Sequence, residues 1–154
     1  MKQQSGFTLI ELIVVIVILG ILAATAMPRF ASMEKEARFA SAKGAMGAVE
    51  AASALVHARS LLDGTAASAL SSVTLEGVAV ATVYGYPDSA GAIDTAAGLA
   101  NGHGYTITDG LTTAVTTISP EGATVATCKV TYLPSTAAGT APVITLTASA
   151  AGCA

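Results

Sequence analysis

The chain has 154 residues, of which 53% are hydrophobic and only 11% are charged, a balance that is unusual for a freely soluble globular protein. Its formal net charge is −3, and because no basic stripe interleaved with aromatic residues occurs in its C-terminal part, nucleic acid is not expected as a partner. The composition therefore indicates a membrane-associated chain with room for one modest domain.

The charge is unevenly distributed along the chain. Residues 29–59 carry five basic and three acidic side chains, a net charge of +2, whereas residues 60–154 carry one basic and six acidic side chains, a net charge of −5. The sequence thus divides into a basic stem and an acidic head.

Residues 7–27 form an apolar stretch in which Glu11 is the only charged residue. As a helix rising about 1.5 Å per residue, this stretch is about 31 Å long, enough to cross the hydrocarbon core of a bilayer. A carboxylate in such a span costs at least ~2.5 kcal/mol on insertion scales. Glu11 is therefore expected to have a partner or to lie at a membrane interface.

The short leader "MKQQSG" precedes the apolar stretch. An ordinary secretory signal is cut after its apolar region, at a site of small residues, whereas here Gly6 comes before the apolar run. A cut at Gly6 would keep the apolar helix in the mature protein. Lys2 before the span favours a cytoplasmic start.

The stretch "GFTLIEL" after a short basic leader resembles the processing site of type IV pilins and pseudopilins. The resemblance implies that a prepilin peptidase cuts after Gly6 and that the new N-terminal Phe7 is methylated. It covers roughly the first 55 residues and beyond them rests on architecture. The stretch "YGYPDS" (84–89), together with two late cysteines, resembles the mannose-sensitive haemagglutinin type of pilin.

The resemblance also implies a partner for Glu11. Cleavage creates an amine on Phe7, four residues before Glu11, and residues at this spacing share a helix face. In the family, the carboxylate instead meets the Phe7 amine of an adjacent subunit, so that apolar helices join in one register; polar groups in apolar seams are known to set register. The alternative is an interfacial carboxylate wetted by lipid headgroups.

Gly20 and Pro28 are the two helix breakers in this region. Pro28 removes a backbone donor and clashes with the carbonyl of Ala24, and Gly20 lowers helix propensity by ~1 kcal/mol relative to alanine. We expect an intact helix in the isolated subunit, and the resemblance implies that residues 20–28 unwind on polymerisation. A simple kinked transmembrane helix is the alternative, since neighbouring helices can satisfy the freed carbonyl.

The helix is predicted to continue to about Leu62, where Asp63-Gly64 supplies a stop. Its second half is predicted to pack on a sheet, and His57 to be an exposed or half-buried stem residue. The packing stripe is expected to consist of small and apolar residues at three- and four-residue spacings: Phe30, Met33, Ala37, Ala40, Gly44, Ala48, Ala51 and Leu55.

The remainder is predicted to form one small antiparallel sheet of three to five strands, because Val, Thr, Ile and Tyr alternate with polar residues there. Residues 85–110 are predicted to form a surface loop with one short helix at Ile93–Ala100. The predicted strands are Val73–Tyr84, Ala114–Ile118, Ala123–Leu133 and Pro142–Ala148.

The fold class that follows is α+β. A long N-terminal helix with an apolar, protruding first half packs through its second half on a small antiparallel sheet, and a disulfide-bounded loop lies at the C-terminus. The expected divisions are a leader (1–6), an apolar transmembrane and polymerisation helix (7–28), an amphipathic helix packed on the head (29–62) and a β-sheet head domain (63–154).

Cys128 and Cys153 are the only cysteines, and in an exported, oxidising setting a disulfide between them is the default expectation. In the chain-entropy model a ring of this size contributes roughly 3 to 4 kcal/mol. Free thiols or a metal site are the alternatives, although two cysteines lack the partner spacing of a zinc site. Such a C-terminal disulfide also resembles the pilins.

No catalytic, metal or cofactor motif is found in the sequence, so an enzyme is not expected. The resemblance implies the major structural subunit of a type IV pilus, made in the inner membrane, matured by a prepilin peptidase and polymerised by the assembly machinery into a homopolymeric filament on the cell surface. The residues implied in assembly are Phe7, Glu11, Gly20 and Pro28. A pseudopilin of a type II secretion system and a monomeric membrane-tethered binding domain are the alternatives.

Overall fold

The computed structural model describes residues 7–154, which contain one long helix, one short helix and seven β-strands. The predicted leader, 1–6, and the predicted cleavage position at Gly6 lie outside the described residues. In chain order the elements are α1 (Leu9–Leu62), β1 (Ser71–Leu75), β2 (Val78–Val83), β3 (Tyr86–Pro87), α2 (Ala92–Ala97), β4 (Tyr105–Thr108), β5 (Thr116–Pro120), β6 (Cys128–Leu133) and β7 (Val143–Ala148).

Helix α1 is continuous over 54 residues and contains Pro28 in its interior. It ends at Leu62, as the Asp63-Gly64 pair predicts: Gly64 adopts a left-handed conformation with φ 70°, and its N–H donates to the carbonyl of Leu61 at 3.2 Å. The Arg59 guanidinium pairs with Asp63 at 3.0 Å across this last turn, where a cation also complements the helix dipole.

The chain divides into two compact units, one reaching to Glu34 and the other spanning Lys35–Ala154. In the described part of the first unit, every large aliphatic side chain from Leu9 to Leu22 is exposed, with exposed fractions between 46% at Ile13 and 74% at Leu9. This unit has no core of its own among these side chains.

In the second unit, α1 packs on the β-sheets through a different stripe from the predicted one. Gly44, Ala51 and Leu55 of the predicted stripe are exposed, and the buried apolar positions are Ala42, Ala45, Val49, Ala52 and Val56. Because alanine occurs on nearly every face of this helix, small side chains do not identify the packed face. Val49 and Val56 remove more apolar surface from water than alanine or glycine can, which favours their face.

The main core lies between α1 and a four-stranded antiparallel sheet of order β4-β5-β6-β7. Strand β6 alternates strictly between buried and half-buried residues, so that Cys128, Val130 and Tyr132 are buried, as period-2 alternation predicts. The helix contributes Ala45, Val49 and Ala52 to this core, and the sheet and α2 contribute Ile93, Ile107, Ile118, Val130 and Tyr132.

A second sheet, of order β1-β2-β3, corrects the prediction of one sheet and of a single strand over Val73–Tyr84. That segment is a hairpin: β1 pairs antiparallel with β2 around Glu76 (φ 49°) and Gly77 (φ 83°). A further turn at Tyr84 (φ 48°) and Gly85 (φ 82°) leads into β3. Two-residue hairpin turns with positive φ usually carry Asn-Gly or Asp-Gly, and neither pair occurs here, which is why the turns were not predicted.

Two further boundaries differ from the prediction. The region 85–110, expected to be a loop with one helix, contains β3, β4 and α2, and α2 ends at Ala97 rather than Ala100. The strand expected over Ala123–Leu133 begins only at Cys128, because the preceding residues form turns in which Ala123 N–H donates to the Pro120 carbonyl at 3.1 Å and Thr127 N–H donates to the Thr124 carbonyl at 3.0 Å.

Cys128 and Cys153 form a disulfide, as predicted, with their Cα atoms 4.9 Å apart. Both sulfur-bearing residues are fully buried and pack with Ala42 of α1 in a small cluster of their own. The bridge therefore fastens the C-terminus to strand β6 beneath the helix. Together, the long helix, the antiparallel sheets and this disulfide confirm the predicted α+β fold class.

Candidate assembly and processing site

Thr8 and Glu11 form a reciprocal cap at the start of α1. The Glu11 Oε2 atom accepts hydrogen bonds from the Thr8 backbone N–H at 2.9 Å and from the Thr8 hydroxyl at 2.7 Å. The Glu11 N–H in turn donates to Thr8 Oγ1 at 3.3 Å. This is a capping box, which satisfies orphan donors at a helix N-terminus.

The capping box was not predicted, although its signature, Thr followed three residues later by Glu before an apolar run, is present in "TLIEL". It gives the Glu11 carboxylate a local structural use besides the predicted pairing. Both bonds to Thr8 end on the same oxygen, and Thr8 carries no charge. Thr8 therefore satisfies hydrogen bonds of Glu11 but does not compensate its negative charge.

The apolar part of α1 is long and apolar enough to cross a membrane, judged by length and composition. Exposed aliphatic surface of this extent on one segment marks a contact with lipid or with other protein. The residues from Leu9 to Leu22 thus need cover that the first unit does not itself provide.

The segment between Gly20 and Pro28 remains helical and contains one more polar group, Thr25. The Thr25 hydroxyl donates to the carbonyls of Leu22 at 3.0 Å and Ile21 at 3.4 Å. Back-bonding of this kind slightly weakens a helix and satisfies the hydroxyl where water is absent. Gly20, Thr25 and Pro28 make this stretch the weakest part of the apolar helix, while its unwinding stays a prediction.

In the second unit, polar side chains make contacts within the fold. The Tyr132 hydroxyl, in the core, donates to the Pro87 carbonyl at 2.7 Å, and burial raises the pKa of Tyr132. His57 is half-buried, as predicted, and stacks on the Tyr86 ring with centroids 4.0 Å apart.

Within residues 7–154, no group of three or more His, Cys, Asp or Glu side chains is arranged to hold a metal ion.

Residues 1–27 match the family model described as the prokaryotic N-terminal methylation motif. The chain carries the N-terminal motif of the type IV pilins and pseudopilins. The resemblance found in "GFTLIEL" is therefore confirmed at the level of this class, whose members are structural proteins and not enzymes.

Three relatives illustrate the range of the class. The chain is 55% identical over 51 residues to the type II secretion system core protein G of Pseudomonas aeruginosa, covering 33% of this chain and 36% of that protein. It is 47% identical over 53 residues to the type IV narrow pilus major component PilA5 of Thermus thermophilus, covering 34% and 46%. A fimbrial protein of Pseudomonas aeruginosa is 29% identical over 143 residues, covering 87% and 90%.

These matches are uneven in what they support. The chain spans between a third and a half of the length of the first two relatives, and no solved structure gives a significant match. The narrower resemblance to the mannose-sensitive haemagglutinin type is not confirmed. The assigned roles of Gly6, Phe7, Glu11, Gly20 and Pro28 stay predictions.

Proposed function

We propose that the chain is the precursor of a major structural subunit of a type IV pilus. The observation that carries the proposal is an apolar helix, exposed along its length, that begins with a carboxylate whose charge the capping box leaves uncompensated. Such a helix can be stored in a membrane and then covered by copies of itself. The methylation motif over residues 1–27 supports this function.

In this proposal, a prepilin peptidase cuts after Gly6 and exposes a cationic amine on Phe7. The amine meets the Glu11 carboxylate of an adjacent subunit, which removes the last unpaired charges from the apolar seam. Thr8 holds Glu11 in the meantime through the capping box. Residues 7–28 form the polymerisation helix, in which Gly20 and Pro28 permit unwinding, and residues 29–62 carry the head, 63–154.

The proposed function also implies which partners the chain has and how it reaches the cell surface. The precursor enters the inner membrane through its apolar helix, the peptidase matures it, and the pilus assembly machinery extracts it into a homopolymeric filament on the cell surface. That filament would serve adhesion, attachment or motility.

A pseudopilin of a type II secretion system is the second candidate. It is favoured by the 55% identity to core protein G over 51 residues. The resemblance implies a site of carboxylates for calcium in the C-terminal part of such pseudopilins, whereas residues 122–154 contain no acidic side chain and a disulfide joins Cys153 to Cys128. These two features favour the pilus over the pseudopilus.

The test is electron microscopy of producing cells, with antibody against the head, combined with intact-mass analysis of sheared surface material. We expect long labelled filaments whose subunit begins at Phe7. A Gly6→Leu variant is the control, and it should stay in the membrane as unprocessed protein without filaments. Labelled protein confined to the membrane in wild-type cells, or surface subunits that retain residues 1–6, would contradict the proposal.

A further inference from the structure

An apolar groove opens on the second unit between helix α1 and the β1–β2 hairpin. It encloses about 430 Å³, and two of the apolar side chains in its wall are half exposed or more, Leu55 at 58% and Val78 at 50%. We call it the hairpin groove; its lining includes Leu55, Leu75, Glu76, Val78, Val80 and Ala96.

Glu76 is the charged residue of this lining, and its backbone is strained. It occupies the first position of the two-residue turn with φ 49°, where Asn, Asp or Gly are the residues that hairpins favour. A non-glycine residue in this region is strained and is often found where it serves a function. The turn thus sets a carboxylate beside an apolar groove at some expense in stability.

We propose that the hairpin groove receives the Arg29–Met33 face of α1 from a second copy of this chain. Met33 lies four residues after Arg29 and three after Phe30, so its side chain neighbours both of theirs on the helix surface. Phe30 is 67% exposed and Met33 is 61% exposed. Their side chains fill the groove, and the Arg29 guanidinium meets the Glu76 carboxylate at its rim.

Charge complementarity selects this occupant. Residues 29–59 have a net charge of +2 and residues 60–154 of −5, so the basic stem of one copy is attracted to the acidic head of another. A cation beside exposed apolar side chains is also the chemical complement of a carboxylate beside an apolar groove. The inference rests on the proposed function, because a filament brings stems and heads of different copies together.

Cysteine crosslinking in intact filaments tests the contact. Met33→Cys with Val78→Cys should give a ladder of covalent multimers after mild oxidation, and reductant should collapse it. Met33→Cys with Val143→Cys is the matched control, since Val143 is 57% exposed but lies outside the groove, and it should give no ladder. Filaments of wild-type number without a ladder from the Met33/Val78 pair, or an equal ladder from the control, overturn the proposal.

Charge exchange provides the second arm, which does not depend on cysteines. Glu76→Arg alone and Arg29→Glu alone should each lower filament number roughly fivefold, and the double variant should restore it to within about twofold. Each variant is compared at equal levels of cleaved, membrane-bound subunit. If the double variant is no better than the worse single variant, Glu76 and Arg29 do not meet.

Glu76→Asn separates assembly from folding. Since asparagine suits a positive φ better than glutamate, the melting temperature of the full chain in detergent should rise by about 2 °C while filament number falls. Unchanged filament number would remove the role of Glu76. Failure of the proposed function itself looks different, because then wild-type cells carry no filaments at all.

Discussion

The two units of the chain use apolar residues in opposite ways. From Leu9 to Leu22 the side chains are large, branched and exposed, whereas in Lys35–Ala154 the helix buries mostly alanine and valine against sheets that bury isoleucine, valine and tyrosine. The second unit buries a hydrophobic core of its own and adds a disulfide. The first unit depends on lipid or on other protein to cover its exposed aliphatic side chains. Changes in the core of the second unit should therefore alter folding, whereas, under the proposed function, changes in the exposed apolar helix of the first unit should alter assembly.

The largest effect on folding is expected from Cys128→Ser, which removes the disulfide that stabilises the second unit. Loss of the disulfide should lower the free energy of unfolding by roughly 3 to 4 kcal/mol, because the bridge closes a ring of 25-residue separation. Denaturant unfolding of the full chain in detergent measures it, and membrane insertion should be unchanged. Thiol labelling of both cysteines in the native, unreduced wild-type protein would show that the bridge is absent.

Gly85→Ala should be next in size. Gly85 has φ 82°, and a Cβ atom there would lie 2.7 Å from Ser60 Oγ and 2.8 Å from the Cα atom of Ala66. We expect a loss of about 2 to 3 kcal/mol from the clash and the backbone strain together. Gly104→Ala is the matched control: its φ is 86° but nothing lies within 4 Å, so it should cost only about 1 kcal/mol. Equal losses in the two variants would mean that the close approach at Gly85 is relieved by movement.

Tyr132→Phe should cost about 1 to 2 kcal/mol near pH 7, because it leaves the Pro87 carbonyl without its donor. Burial raises the pKa of Tyr132 above its ordinary value of 10.0. The unfolded chain therefore loses this proton before the folded chain does, and wild-type stability should fall as pH rises above 10. The phenylalanine variant should lack this contribution, so the gap between the two proteins should narrow in alkaline denaturation curves. A gap that widens above pH 10 would contradict the assignment.

Asp109→Asn should have the smallest effect, and it should stabilise. Burial first, and then the nearby charges of Asp94 and Asp88, raise the pKa of Asp109 above 3.8. The folded chain holds this proton more tightly than the unfolded chain, so stability falls as pH rises through the interval between the two pKa values. The variant should be slightly more stable than wild type at pH 7 and no different at about pH 2, below both values. A gain of equal size at both pH values would place its cause elsewhere.

Much of the fold follows from local sequence. The end of α1 is predicted by Asp63-Gly64, strand β6 by its strict alternation, and the disulfide by two cysteines in a chain that is expected to be exported. The packed face of α1 was predicted wrongly, because alanine on every face removes the contrast on which helix periodicity depends. The β1–β2 hairpin was missed because Glu76 stands where turn chemistry favours Asn, Asp or Gly.

Of the candidate functional features, some are also visible in the sequence and others are not. The position of Glu11 in an apolar stretch is visible in the sequence. The capping-box signature formed by Thr8 and Glu11 is visible there too, and the structure shows the two residues hydrogen-bonded. The hairpin groove was not predictable, since Leu55, Glu76 and Ala96 are brought together only by the tertiary fold. Surface sites built from distant residues leave no local pattern.

Under the proposed function, the charge of Glu11, and not only its place in the helix cap, drives assembly of the apolar helices. Glu11→Gln keeps a capping box with Thr8, because glutamine serves in this position, but it removes the charge. Glu11→Ala removes both and leaves the Phe7 amine of the neighbour unpaired in the seam, a cost of roughly 3 to 5 kcal/mol at every joint. Filaments are counted by electron microscopy at matched levels of cleaved subunit. We expect no filaments from Glu11→Ala and a clear defect from Glu11→Gln. Filaments of normal number and length from Glu11→Ala would show that the apolar helices set the register without this carboxylate.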